Sequence, residues 1–230
     1  MDVSKFEKKI NVKFKDQALL QQAFVHRSYI NENKNFKLTH NERLEFLGDA
    51  VLELVVTEHL FKKYPDKSEG NLTSYRSALV NAITLSKVAA ELEMGEYLLL
   101  SKGEAKDSGR ARQYILANTF EAFVGALYLD QGYEESKKFI VQNLLDKEEN
   151  EIVSKNLWRD SKSLLQEKAQ EYINITPAYK LLSDVGPDHN KIFTVGIFFE
   201  NDLIAEGKGH SKQEGEQEAA RRALEIKHWL

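Results

Sequence analysis

The 230-residue sequence contains no cysteine. That absence removes disulfide frameworks, thiolate zinc sites and thiol nucleophiles together, and it fits a reducing, intracellular setting. Proline is scarce, at 3 residues, and glycine numbers 12, so collagen-like and broadly disordered readings fail. No run approaches the ~18 apolar residues of a membrane span, and the opening MDVSKFEKKI is charged where a signal peptide would need an apolar segment. The chain is therefore expected to be cytoplasmic, free of the membrane and complete from residue 1. A dominant charge is lacking too: 32 Lys and Arg stand against 36 Asp and Glu, a net charge of −4. Bulk charge thus argues against a nucleic-acid partner unless basic and acidic surfaces are segregated.

What is present is a foldable chain. Hydrophobic residues make up 42% and charged residues 30%, and at roughly 100 to 200 residues per domain the length holds one large domain or two smaller ones. From residue 16 to about 145 apolar residues recur at helical spacing, as in 71–92, where Leu72, Tyr75, Leu79, Ala82, Ile83 and Ala90 share a stripe. Breaks fall at 31–40, at 62–71, where Pro65 stops a helix, and at 101–110. The run DKEENEIVSKN, 146–156, is charged, poor in apolar residues and aperiodic, which marks a linker. The expected organisation is an all-α N-terminal domain over 1–146, a linker over 147–157 and a small α+β domain over 158–230.

In that last part Ser161 is expected to cap a helix burying Leu164, Leu165, Ala169 and Tyr172, and Pro177 closes it. Phe193, Val195, Ile197 and Phe199 then alternate with Thr194, Gly196, Phe198 and Glu200, the period of two that marks a strand. Turn signals at 186–190 and 200–202 imply three antiparallel strands, and a closing helix from about Ser211 packs through Ala219, Ala220, Ala223 and Leu224. The order is α-β-β-β-α.

The segment HNERLEFLGDAVLELVV, 40–56, places Glu42, Glu45 and Asp49 on a single helix face, with Leu44, Leu47, Val51 and Leu54 expected in the core opposite. Surface helices usually pair such acids with Lys or Arg at i+4, and here only Arg43 is nearby. The stripe reads either as a metal site or as a solvated face. A second segment, QYILANTFEAFVGALYLD at 113–130, sets Asn118 and Glu121 one turn apart in apolar surroundings. A buried carboxylate needs a partner, in the plainer case an Arg or a backbone amide. If the two helices pack together, Glu45, Asp49, Asn118 and Glu121 converge as hard oxygen ligands whose crowding Mg²⁺ would neutralise.

NERLEFLGDAVLEL strongly resembles the signature of the ribonuclease III family, and landmarks in the family's order surround it: LLQQAFVHRSY at 19–29, EGNLTSYRSALV at 69–80 and SGRARQYILANTFEAFVGALYLD at 108–130. Residues 158–230 resemble the double-stranded RNA-binding domain through SKSLLQEKAQ at 161–170, PAY at 177–179, GPDH at 186–189, FTV at 193–195 and GKGHSKQEGEQEAARRAL at 207–224. The resemblance covers essentially the whole chain. It implies an endoribonuclease that cuts double-stranded RNA with Mg²⁺, or Mn²⁺ as a substitute, to 5′-phosphate and 3′-hydroxyl ends, acting in rRNA and mRNA precursor processing and RNA decay. It further implies that Glu45, Asp49, Asn118 and Glu121 hold the metal, that Asp49 and Glu121 are catalytic, and that Glu42 and Glu69 are secondary acids. The family's C2 homodimer would place Phe46 at its seam, where the pattern alone reads Phe46 as ordinary core.

The family normally carries Asp at position 118. Asn there adds no charge, and its NH₂ end must face away from a cation. Weaker metal binding with retained activity is expected, against the alternative of a double-stranded RNA-binding regulator with weakened catalysis. A di-iron oxidoreductase would want Glu-x-x-His pairs near the acids, and none occurs there.

In the second domain Gln166, Glu167 and Gln170 make a polar face able to meet 2′-hydroxyls in a minor groove, and His189 sits on a hairpin that would enter the next one. Ser211, Lys212, Gln213 and Glu214 form a capping box that sets Lys212 at the positive end of a helix dipole. That arrangement draws phosphate, or is simply a capped surface helix. The family usually has Lys at 213 and Ala at 215, so modest affinity is expected, with Lys208, Lys212, Arg221 and Arg222 as basic contributors. Arg221 and Arg222 equally suit pairing with Glu218 or Glu225. Lys102, Lys106, Arg110 and Arg112 read as a phosphate guide or a solvated loop.

Overall fold

The structure, a computed structural model, describes residues 3–106, 109–154, 158, 160–187 and 191–229. The chain forms two units, Met1–Ser154 and Lys155–Leu230. Among the described residues no helix is long and apolar enough to cross a membrane.

In the first unit α1 (Ser4–Ile10), α2 (Gln17–Ala23) and α3 (Arg27–Glu32) lead into the long α4 (Glu42–Lys63), followed by α5 (Glu69–Leu79) and α6 (Ala82–Glu91). Short 3-10 turns at Met94–Tyr97 and Glu104–Lys106 precede α7 (Arg110–Gln131). Then α8 (Tyr133–Ile140) continues through a π-helical stretch, Val141–Glu149, into α9 (Asn150–Ser154). α7 is the buried axis. Its Phe123 is packed by the rings of Phe6, Phe14 and Phe139 at 5.4, 5.5 and 4.8 Å, and each such fully buried side chain contributes roughly 1.5 to 3 kcal/mol relative to exposure. Its far end is pinned by Asp130, whose carboxylate accepts the backbone N–H groups of Lys15 and Asp16 at 2.9 and 2.8 Å.

α4 crosses α7. The start of α4 is set by buried Asn41, whose Nδ2 donates to the Ala23 carbonyl at 3.0 Å and whose backbone N–H donates to that of Val25 at 2.9 Å. Where the helices cross, Gly48 meets Gly125. A Cβ on Gly48 would lie 1.7 Å from the Glu121 carbonyl oxygen, and one on Gly125 would lie 2.1 Å from that of Leu44. The backbones touch because neither residue has a side chain. This contact also corrects the expected core stripe. Leu44 and Val51 are buried, but Leu54 is 57% exposed and Leu47 half-buried, while Gly48, Leu52, Val55 and Val56 are buried instead.

The segment 71–92 is two helices rather than one. Asn81 caps α6 by accepting the Thr84 N–H at 2.9 Å, and the phase reset leaves Ile83 and Ala90 exposed.

A larger difference lies at 147–154, expected in the linker. These residues are helical and belong to the first unit. Glu148 and Glu149 are buried, against partners distant in sequence: Lys87 Nζ lies 2.8 Å from Glu148, and His59 Nε2, Lys63 Nζ and the Tyr64 hydroxyl reach Glu149 at 2.8, 2.9 and 2.8 Å. Burial alone would raise the Glu149 carboxyl; the hydrogen bonds from Lys63, Tyr64 and His59 override it and hold it below the usual carboxylate range. Residues 155–157 lie outside the described residues.

The second unit is α10 (Ser161–Ile173), β1 (Ala178–Val185), β2 (Ile192–Phe199), β3 (Asp202–Gly209) and α11 (Lys212–Lys227), its sheet antiparallel in the order β1-β2-β3. Ile197, Phe199 and Ala205 from the sheet pack against Leu164, Leu165 and Ala169 of α10 and Ala219, Ala220, Ala223 and Leu224 of α11. Asp160, not Ser161, caps α10, accepting the Ser163 N–H at 2.8 Å, because it stands one residue ahead of the first turn. Tyr172 is 55% exposed rather than buried, its ring 5.4 Å from that of Trp229. Ser211 accepts the Glu214 N–H at 3.2 Å, and the Glu214 carboxylate reaches back to the His210 N–H at 2.8 Å. A Cβ at Gly215 would meet Val195 Cγ2 at 2.9 Å, so a side chain here would crowd the sheet.

Candidate active site and RNA-binding surface

The α4–α7 crossing brings Glu45 and Asp49 of one helix to Asn118 and Glu121 of the other. Burial first, then the charges of Asp49 and Glu45, push the Glu121 carboxyl up to about 8. Burial, then Glu42 and Asp49, raise Glu45, opposed by a hydrogen bond from the Asn118 side chain. Asp49 is exposed, and partial desolvation, then the charge of Glu53, raise its carboxyl. No arginine or amide partners Glu121 among the described residues, so the plainer reading of a satisfied buried acid fails. Its charged neighbours are carboxylates.

The four residues share a neighbourhood and not a closed ligand set. Among the described residues no group of three His, Cys, Asp or Glu side chains is arranged to hold a metal ion as it stands. Carboxylates that repel one another do not close on a common point without a cation between them. The donor chemistry nevertheless fits a hard divalent cation: three crowded carboxylates whose charging is costly, and one carboxamide. The Asn118 side chain stands close enough to Glu45 to hold its carboxyl down against burial.

A trough of about 390 Å³ opens beside these acids, lined by His26, Glu42, Glu45, Glu104, Tyr114 and Asn118. Glu42 is exposed, 3.5 Å from the Arg27 guanidinium and 3.7 Å from His40 Nδ1. Glu69 opens α5, and its carboxylate accepts from Thr73 Oγ1 at 3.0 Å on its own helix. Sequence reasoning missed Glu53, Glu104 and His26. Glu53 was findable, since it extends the acidic stripe four residues beyond Asp49. Glu104 and His26 sit in a short turn and at a helix start, where no periodicity points to them. Of the expected basic cluster, Arg110 and Arg112 lie in the first turn of α7 itself, Arg112 donating to the Gly95 carbonyl at 3.1 Å and Arg110 lying over the Tyr114 ring at 5.7 Å, while Lys102 and Lys106 ahead of it are exposed.

Phe46 is 82% exposed, which corrects the reading of it as core. It shares the outward side of α4 with Leu54 and Phe61, both also exposed.

In the second unit Gln166, Glu167 and Gln170 are exposed on α10, and the Gln170 amide donates to Asn174 Oδ1. Gln166 and Gln213 line one polar cavity of about 280 Å³, so the α10 face and the start of α11 come together. Lys212 opens α11 and Lys208 lies on β3, both exposed. His189 lies outside the described residues. Arg221 and Arg222 pair with Glu218, and Arg221 also with Glu225.

A family model described as Ribonuclease-III-like matches residues 16–148, and one described as double-stranded RNA binding motif matches residues 161–227. The chain is 45% identical to the ribonuclease 3 of Borreliella burgdorferi, over 96% of this chain and 90% of that one. It is 43% identical to the ribonuclease 3 of Enterococcus faecalis, over 96% and 95%. Among solved structures, the nuclease domain of ribonuclease III from Campylobacter jejuni, described for structural flexibility in the region involved in dimer formation, is 40% identical with a TM-score of 0.55, covering 62% of this chain and 98% of that one. The chain belongs to the ribonuclease III family: it is an endoribonuclease whose nuclease domain is followed by a double-stranded RNA-binding domain.

Proposed function

We propose that this protein is a cytoplasmic, Mg²⁺-dependent homodimer that cuts both strands of double-stranded RNA to 5′-phosphate and 3′-hydroxyl ends, in rRNA and mRNA precursor processing and RNA decay. The observation that carries this reading is the meeting of Glu45, Asp49 and Glu121 across the α4–α7 crossing with no counter-charge among the described residues. Glu45, Asp49, Glu121 and the Asn118 side-chain oxygen would hold Mg²⁺, with Mn²⁺ as a substitute. When bound, such a cation offsets charge on the scissile phosphate and lowers the pKa of adjacent water. The chain's own part is orientation and proton management. Asn118 steadies Glu45, Asp49 and Glu121 act as the catalytic acids that direct the attacking water, and Glu42 and Glu69 act from the margin.

A duplex has two strands of opposite polarity related by local twofold symmetry, which a C2 dimer would match. The uncovered Phe46, Leu54 and Phe61 supply an apolar seam on α4. Gln166, Glu167, Gln170 and His189 would read minor grooves, with Lys208, Lys212 and Gln213 at phosphates. Asn118 favours one further reading, a double-stranded RNA-binding regulator with weakened catalysis.

Incubation with long duplex RNA, with and without Mg²⁺ and alongside Glu121→Gln, tests the proposal. The wild-type chain is expected to cut only with Mg²⁺, and the variant to be slower by at least about a hundredfold. Binding without cleavage at any Mg²⁺ concentration would establish the regulator instead.

A further inference from the structure

A separate cavity of about 250 Å³ in the first unit is lined by Tyr29 of α3, Phe36, Gln21 of α2, Glu96 and Tyr97 of the 3-10 turn Met94–Tyr97, and Leu98 and Leu99 beyond it. It shares no lining residue with the trough beside Glu45. Its aromatic residues are held by packing: Tyr29 and Phe36 meet edge to face at 5.2 Å, and Tyr97 lies 5.2 Å from Phe6 and 5.7 Å from Phe24. Rings already in place lose little freedom when a ligand arrives. The polar groups, by contrast, are unused. The Gln21 amide, the Tyr29 and Tyr97 hydroxyls and the Glu96 carboxylate have no side-chain partner among the described residues. Among the described residues no Lys or Arg lines the cavity, and Glu96 is its charged member.

Unengaged polar groups beside an aromatic wall suit a ligand. Aromatic faces carry negative potential and attract cations, a carboxylate pairs with them, and hydroxyl and amide oxygens accept the remaining N–H groups. The same lining repels phosphate, which needs cationic donors. We propose that this cavity binds a small organic cation bearing an ammonium or guanidinium group, of the polyamine class. Cations of this kind accompany nucleic acid as counterions, so the ligand arrives with the RNA. The inference stands independently of the metal centre.

Calorimetric titration of the full chain in Mg²⁺ buffer, with spermidine and with agmatine, tests it, and 1,8-octanediol serves as the neutral control. One saturable site is expected for at least one of the two cations and none for the diol. Glu96→Gln and Tyr29→Leu should each weaken it by about threefold, the scale of an exposed ion pair or cation–π contact, while Glu121→Gln leaves it unchanged. Glu96 is exposed, so an unaltered melting temperature in Glu96→Gln separates lost binding from lost folding. No saturable heat from either cation, or equal affinity in Glu96→Gln, overturns the proposal. So does binding that vanishes in Glu121→Gln and persists in Glu96→Gln, which would place the cation among the nuclease acids.

Discussion

Gly48 and Gly125 face each other backbone to backbone: a Cβ on Gly125 would lie 3.0 Å from the Gly48 nitrogen, and one on Gly48 would lie 2.8 Å from the Gly125 nitrogen. The atoms in the way are main-chain atoms that cannot rotate aside. Gly48→Ala or Gly125→Ala must therefore push α4 from α7, at a cost of roughly 2 to 3 kcal/mol or more. The same separation would pull Glu45 and Asp49 from Glu121. Thermal melting and duplex cleavage are both expected to suffer, and cleavage should stay depressed at temperatures where the variant is folded. A variant with wild-type melting and cleavage would show that the contact does not set the site.

Much of this arrangement was legible in the sequence, and the rest was not for identifiable reasons. Helical period alone puts Glu42, Glu45 and Asp49 on one face, and the alternation at 193–199 announces β2. The pairing of Gly48 with Gly125 was silent, because a glycine takes meaning only from the backbone opposite it. Glu148 and Glu149 looked solvated, because the cations that allow their burial, on Lys63 and Lys87, come from other helices. Leu54 looked like core for the opposite reason: an apolar residue at helical spacing is indistinguishable from one that faces outward.

Glu121 carries a pH signature measurable without metal. Its folded carboxyl titrates at about 8 against an ordinary 4.5, so between these values the folded state holds a proton that the unfolded chain has released. The stability this provides is complete below 4.5 and lost as pH rises through about 8. In EDTA, the melting temperature of wild type should fall relative to Glu121→Gln as pH goes from 5 to 9, and Mg²⁺ should narrow the gap. A gap that is flat with pH counts against the half-buried, crowded carboxylate.

Asn118→Asp adds a fourth carboxylate and removes the donor to Glu45. The Mg²⁺ concentration for half-maximal cleavage is expected to fall, while the metal-free variant melts lower than wild type. If neither the Mg²⁺ requirement nor the rate moves, position 118 is not a ligand.

Glu149→Gln tests the anchoring of the π-helical stretch. The folded carboxyl is held below its ordinary 4.5, so its contribution is complete above 4.5 and disappears as pH falls through the lower folded value. The substitution should cost roughly 1 to 3 kcal/mol near neutral pH, with the difference closing in acid. Hydrogen exchange over 141–154 should quicken in the same variant, and unchanged protection there would place the anchor elsewhere.

The arginines of α11 have a different consequence. Arg221 and Arg222 both grip Glu218, whose carboxyl they hold down at about 2 against burial, and Arg221 reaches Glu225 as well. Cations engaged with their own helix displace few ions from a duplex, and each phosphate left without one removes about 0.9 from the slope of log affinity against log salt. The small unit's grip on RNA should accordingly tolerate ionic strength better than its count of basic residues suggests, shifting discrimination from charge toward groove width and the sugar edge.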